Sequence, residues 1–207
     1  MKRGWYTRWV FPRLVHWSMG QAGFISLRQS LISKASGVVL EIGFGTGANF
    51  SFYSSHVHFL TAIDPNPGMI PLACSPLAEA AIPVYVALAS AEALPFPSSS
   101  FDTVVTTMTL CSVPLLSKVL QELLRVVRPG GRLLFLEHGQ SPDSSVRLWQ
   151  DCLTPAWKHL GDGCRLNRPM VQMIQAQGWT VSALENFYLP GVPKPFAYFS
   201  QGMAVKA

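Results

Sequence analysis

Apolar residues along the chain follow two different periods. Val38-Val39-Leu40-Glu41-Ile42 is a short β-branched run that ends in glycines, and it predicts a buried strand. Similar runs predict strands at 57–63 (ending at Asp64), 84–88, 101–107 and 132–137. Between them the period lengthens. In 114–127 the apolar positions Leu116, Val119, Leu120, Leu123, Leu124 and Val127 repeat at helical spacing, and Arg128-Pro129-Gly130-Gly131 stops the helix. Helices are also predicted from about Thr46 to Tyr53, and from the Pro65-Asn66-Pro67-Gly68 turn to about Ala80. Strands that alternate with helices predict a parallel sheet with right-handed crossovers. After His138 the pattern changes. Residues 141–168 read as irregular or helical, a helix follows near 169–177, and strands near 179–186 and 195–205 suit an antiparallel pair on the sheet edge. Residues 1–36 read as a helical arm broken at Pro12, which leaves 37–207 as the α/β body.

Composition narrows the function classes. A chain of 207 residues with 49% hydrophobic and 13% charged residues suits one such domain. The net charge of +5 is uneven: no Asp or Glu precedes Glu41, while Lys2, Arg3, Arg8, Arg13, Arg28 and Lys34 do. The body is therefore nearly neutral, which argues against nucleic acid as a partner. Cys74, Cys111, Cys152 and Cys164 form no C-x-x-C pair and have no zinc-ligand spacing, and free thiols fit a reducing cytoplasm. His56 and His58 share one strand face but have no third ligand near by spacing, so no metal site is expected. Arg8, Arg13 and His16 interrupt the apolar leader, so no signal peptide is read there. No window reaches about 18 uninterrupted apolar residues, and a cytoplasmic protein is expected. Trp5, Tyr6, Trp9, Phe11 and Trp17 lie among basic residues. That mixture fits either a lid packed on the body or a peripheral membrane contact through residues 1–20.

The candidate chemistry centres on Glu41-Ile42-Gly43-Phe44-Gly45-Thr46-Gly47. A glycine loop after a first strand brings backbone close to a ligand. Gly43-x-Gly45-x-x-Ala48 satisfies the dinucleotide fingerprint, and Asp64 lies about 20 residues on, where a ribose-binding acid belongs. Alone, the loop fits a nicotinamide dinucleotide as well as S-adenosylmethionine (SAM). Three further features separate them. Gly47 completes E-x-G-x-G-x-G; Ser90-Ala91-Glu92-Ala93-Leu94-Pro95-Phe96 precedes Ser100-Phe101-Asp102; and Leu124–Gly131 leads into the fifth strand. In this order they resemble the motifs of class I SAM-dependent methyltransferases of the type 11-like group. The resemblance implies a Rossmann-like, seven-stranded, mostly parallel sheet with an antiparallel edge and helices on both faces. A closer resemblance runs through Gly45–Phe50, Asp64–Pro67, Leu110-Cys111-Ser112-Val113, Glu137-His138 and Asp162-Gly163-Cys164. These segments are similar to the animal alkyl-thiol methyltransferases and still more to uncharacterised bacterial relatives of them. A looser likeness is to bacterial phosphatidylethanolamine N-methyltransferases.

The resemblance implies SAM as cofactor and S-adenosylhomocysteine as product. It implies that Gly43, Gly45 and Gly47 admit the methionine and ribose parts, that Glu41 faces the methionine amine directly or through water, and that Asp64 accepts the ribose hydroxyls. Pro65 and Asn66 would flank the adenine, with Ser90 and Ala91 beside it. Many relatives carry Asp at the Ser90 position, so an anionic partner of the adenine amino group is missing here. Glu92 either joins that segment or only braces the loop. Thr107 and Met108 end the fourth strand beside the cofactor, although Met108 reads equally well as core. His138 is either a catalytic base at the pocket rim or a hydrogen-bonded structural histidine. The acceptor implied is a small or lipid-derived nucleophile, foremost a thiol. A lipid head-group amine and a non-catalytic SAM-binding module are the alternatives.

Overall fold

The computed structural model describes residues 4–207; Met1, Lys2 and Arg3 of the predicted arm lie outside the described residues. Seven strands form one sheet: β1 (Gly37–Ile42), β2 (Val57–Asp64), β3 (Val84–Leu88), β4 (Phe101–Thr107), β5 (Val127–His138), β6 (Trp179–Tyr188) and β7 (Tyr198–Lys206). Their order is β3-β2-β1-β4-β5-β7-β6. The first five pair in parallel, and β7 runs antiparallel to both β5 and β6. This is the expected mostly parallel sheet with an antiparallel edge.

Successive strand residues point to opposite faces, and each face has its own apolar layer. Leu40, Ile42, Val104, Leu133 and Phe135 pack on one side with helices α4 (Leu116–Val126) and α6 (Met170–Ala176). Val39, Val105, Leu134 and Leu136 pack on the other, against α2 (Ala22–Ile32), α3 (Ile70–Ala78) and the partly buried Phe11 and Val15 of α1 (Phe11–Met19). The near-continuous apolar strands of the sequence follow from this two-sided burial. A longer helix, α5 (Ser144–Leu160), and the short α7 (Lys194–Ala197) complete the chain.

Three predicted elements differ. Thr46–Tyr53 is not a helix; only Phe50–Phe52 makes one 3-10 turn. Gly47 has φ +77°, which no right-handed helix passes through, and Asn49 and Tyr53 turn inward as hydrogen-bond donors. Strand β5 starts at Val127 rather than Arg132, because Phe101 pairs with Val127 across an irregular register. Pro12 lies in the first turn of α1, but the π-helical turn Tyr6–Val10 runs into α1 without leaving helical conformation, so the arm breaks not there but at Gly20-Gln21 before α2.

Candidate functional site

Strand β1 lies between β2 and β4, so the crossovers diverge on either side of it and a crevice forms at the carboxyl ends of the strands. The loop 43–49 enters this crevice. Gly43 has φ +75°, and a Cβ there would overlap the Thr109 side chain. Gly45 N donates to Asp64 Oδ2 (3.2 Å), and Asn66 N donates to Asp64 Oδ1 (2.7 Å). The Asp64 carboxylate thus joins the glycine loop to the end of β2.

Beneath the loop, Glu41 is fully buried. Its two oxygens accept from Asn49 Nδ2 and from the Tyr53 hydroxyl, each at 2.8 Å. Burial pushes its pKa up to about 7, against those two hydrogen bonds and the more distant Arg28 guanidinium. Asn49 Nδ2 also donates to Thr107 Oγ1 (3.0 Å), while the buried Asn49 Oδ1 has no donor. An orphaned acceptor beside a carboxylate short of positive charge fits a cationic amine such as that of SAM. Asn49 and Tyr53 were not singled out as site residues. Asn49 stood only within the Gly45–Phe50 likeness, and Tyr53 gave no signal because its partner is set by the fold.

The adenine-side candidates divide. Pro65 is exposed. Asn66 is buried and committed elsewhere: its Oδ1 accepts from Gly68 N (3.1 Å), and its Nδ2 donates to Thr7 O in the arm (2.7 Å). Ser90 is exposed with Oγ accepting from Glu92 N (3.3 Å), and Ala91 is buried. Glu92 accepts from Leu115 N (3.0 Å) just ahead of α4. Met108 has φ +56°, an uncommon conformation for a side-chain-bearing residue, where β4 gives way to its loop, and it packs against the apolar layer of its face.

Next to the glycine loop, where Thr109 meets Gly43, segment 109–113 follows β4 and is held on both backbone polarities. Buried Glu137 accepts from the N–H groups of Thr109 (3.0 Å), Leu110 (3.0 Å) and Cys111 (3.2 Å). Burial pushes the Glu137 carboxyl up, against the pull of those donors toward the ionised form. The buried Arg168 guanidinium donates to the carbonyls of Leu110 and Val113. The Asp162-Gly163-Cys164 turn docks on the same segment: Arg165 N donates to Cys111 O (3.0 Å), and a Cβ on Gly163 would collide with Ser112 O.

His138 ends β5 and is buried. Its Nε2 faces the Phe196 carbonyl, which can only accept, so Nε2 carries the proton and Nδ1 faces Cys164 Sγ at 3.4 Å. Its ring stacks on Phe199. Both ring nitrogens are engaged within the fold. The two buried thiols form a pair: Cys111, beside the Cys164 sulfur, is pushed well up, and Cys164 is pushed down by the same contact. His56 and His58 are both exposed, and neither joins any metal-capable group among the described residues.

The arm reaches both sides of the crevice. Thr7 O meets Asn66 as above, the Arg8 backbone packs on Gly68, and the Tyr6 hydroxyl donates to Leu160 O (2.8 Å) at the end of α5.

Residues 40–135 match the family model described as a methyltransferase domain. The chain is 39% identical over 168 residues to thiol S-methyltransferase TMT1B of Rattus norvegicus, covering 79% of this chain and 66% of that one. It is 35% identical over 175 residues to thiol S-methyltransferase TMT1A of Homo sapiens, covering 81% and 70%. The match to the rat protein thus leaves about a third of that relative's length uncovered. Among solved structures it resembles the 1,6-didemethyltoxoflavin-N1-methyltransferase of Burkholderia thailandensis with bound S-adenosylhomocysteine, at 16% identity and a TM-score of 0.64 over 93% of this chain and 81% of that one.

Proposed function

Because this chain belongs to the class I SAM-dependent methyltransferases, alongside the thiol S-methyltransferases, we propose that it moves the methyl group of SAM to the sulfur of a small apolar thiol. One observation carries this reading. Leu110–Val113, Glu137-His138 and Asp162–Cys164 bear the likeness to the thiol enzymes, and they converge on one buried cluster beyond the ends of β4 and β5. The cluster adjoins the glycine loop where Thr109 meets Gly43.

The donor supplies an already activated methyl group, so the protein's task is alignment. On the donor side, Asp64 would take the ribose hydroxyls, while Asn49 Oδ1 and Glu41 would meet the amine. On the acceptor side, the clamped segment 109–113 fixes the wall against which a nucleophile is held in line, at about 3–3.5 Å from the carbon it attacks. A thiol, with an ordinary pKa of about 8.5, supplies a reactive thiolate fraction near neutral pH without a dedicated base. This agrees with a His138 that is turned inward.

We further propose that residues 1–36 form a helical lid over the 37–207 catalytic domain and touch a membrane surface peripherally. The contacts to Asn66 and Leu160 support closure. The aromatic residues split between two roles: Phe11 packs inward, whereas Trp5 and Trp17 are 73% and 72% exposed and Trp9 is exposed beside Arg8. Exposed tryptophans next to basic residues suit an interfacial helix. No helix among the described residues is long and apolar enough to cross a membrane.

The test is incubation with methyl-labelled SAM and either butanethiol or liposomes that contain phosphatidylethanolamine. The expected result is label in the butyl methyl thioether. Label in the lipid amine alone would replace the thiol reading with a head-group N-methyltransferase. SAM binding with label in neither pool would leave a non-catalytic binding module.

A further inference from the structure

Cys111, His138 and Cys164 stand apart in the sequence, yet their sulfur and nitrogen atoms all lie within 4.8 Å of one another, and all three residues are buried. Among the described residues they are the one group of three or more such side chains close enough to share an ion. We propose that they form a zinc site with two thiolates, one imidazole and a fourth position filled by a water or another small ligand.

Four features carry the assignment. The first is distance. Ligands on a tetrahedral zinc, at about 2.3 Å for sulfur and about 2.0–2.1 Å for nitrogen, are separated by about 3.6 Å. Cys164 Sγ and His138 Nδ1 stand 3.4 Å apart.

The second is the histidine's tautomer. The Phe196 carbonyl accepts from Nε2, which leaves the Nδ1 lone pair facing Cys164 Sγ, with the Cys111 sulfur within 4.8 Å. Metal-binding histidines are oriented in this way, by a hydrogen bond from the other ring nitrogen to a carbonyl or carboxylate. A disulfide between the cysteines would need no histidine at all.

The third is an indole donor beside a sulfur. The buried Trp157 Nε1 makes no hydrogen bond of full geometry but acts on the Cys164 thiol, and a Cβ built on Gly161 would lie 3.1 Å from both that nitrogen and Cys164 Cβ. An indole N–H at that point suits the negative sulfur of a metal-bound thiolate better than a neutral thiol.

The fourth is charge. Zn²⁺ with two thiolates and a neutral imidazole carries no net charge, so the unit can be buried without the penalty of a lone ion.

The three ligands also come from segments that are already fixed. Cys111 follows the strand end that Glu137 and Arg168 clamp, His138 ends β5, and Cys164 N is bonded to Gly161 O at 3.0 Å. The ion would bind the loop after β4, the end of β5 and the turn after α5 into one wall of the crevice. This assignment is independent of which nucleophile accepts the methyl group.

The test uses the full chain, expressed with zinc in the medium and freed of any histidine tag. Elemental analysis by mass spectrometry should find about one zinc per chain. Replacement with cobalt should give thiolate-to-cobalt charge-transfer bands and the intense visible bands of a tetrahedral ion. Cys164→Ser and His138→Asn should each lose the metal, whereas the double variant C74S/C152S, which alters only the exposed cysteines, should keep it. The cobalt spectrum of the unaltered chain stands even where a ligand variant fails to fold. A chain with less than about a tenth of a zinc and no cobalt spectrum would overturn the proposal. So would a Cys111–Cys164 disulfide found by non-reducing peptide mapping of freshly purified protein, or loss of metal from C74S/C152S.

Discussion

The two walls of the crevice are built on opposite principles. On the donor wall one buried acceptor, Asn49 Oδ1, has no donor, and beside it Glu41, held by Asn49 and Tyr53, is buried with its pKa raised to about 7. On the acceptor wall, most polar groups hold one another, with the Trp157 indole nitrogen beside Cys164 the exception. Glu137 takes three backbone N–H groups, Arg168 gives to two carbonyls, and both nitrogens of His138 are engaged. On the proposed reading, the first side waits for a cation and the second is a frame. A site that must bind and release a charged donor keeps groups that are satisfied only when the ligand is present. A wall that must hold an attacking atom in line needs rigidity instead.

Substitutions can break or sharpen that contrast. The largest effect belongs to the frame. Glu137→Ala strands three backbone N–H groups, two of them buried, at about 1–3 kcal/mol each, so a loss of about 3–5 kcal/mol is expected in urea denaturation. A loss under about 1 kcal/mol would mean the clamp is incidental. On the donor wall, Asp64→Ala should cost about 3–4 kcal/mol in SAM affinity, roughly a hundredfold or more by calorimetry, through the lost charged hydrogen bonds to ribose. Undiminished affinity would refute the cofactor assignment.

Glu41 makes a pH-dependent prediction. Its pKa is higher in the folded chain than in the unfolded one, so its contribution to stability is fully present below about pH 4.5 and is lost as pH rises through about 7. Glu41 should contribute a loss of about 3 kcal/mol across that window, and Glu41→Gln should remove that part of the profile. A profile unchanged by the substitution would contradict the buried-carboxylate account. Gly163→Ala should cost about 1–3 kcal/mol, because φ is +99° and a Cβ would meet Ser112 O. Smallest in stability, within about 0.5 kcal/mol, should be Trp17→Ala on the exposed face of the arm. Together with deletion of residues 1–20, it should nevertheless weaken binding to anionic liposomes. Unchanged binding after the deletion would leave the arm as a lid alone.

Much of this architecture was legible in the chain. Strands β3 and β4 begin and end where their apolar runs do, and the antiparallel edge follows from the change of pattern after His138. The donor loop was legible as well, because glycines at fixed spacing report a backbone requirement directly. The Thr46–Tyr53 helix was misread for a related reason: Gly47 takes a left-handed φ there, and a periodicity argument does not see that. The acceptor wall was largely illegible. Its partners are backbone groups of a segment more than 25 residues from Glu137 and more than 50 from Arg168, and backbone leaves no mark in a sequence. Cys111, His138 and Cys164 are 27 and 26 residues apart, a spacing no short metal motif uses, so only the folding of three segments onto one point brings them together.

The contrast between the walls is tested most directly by the protons exchanged when SAM binds, measured by calorimetry at pH 7 in buffers of different ionisation enthalpy. A cation arriving beside Glu41 lowers its pKa, so a carboxyl half-protonated near pH 7 should release about half a proton per SAM bound. That release should vanish in Glu41→Gln while binding remains measurable. No proton exchange in the unaltered chain, or the same release in the variant, would contradict a donor wall that waits for positive charge.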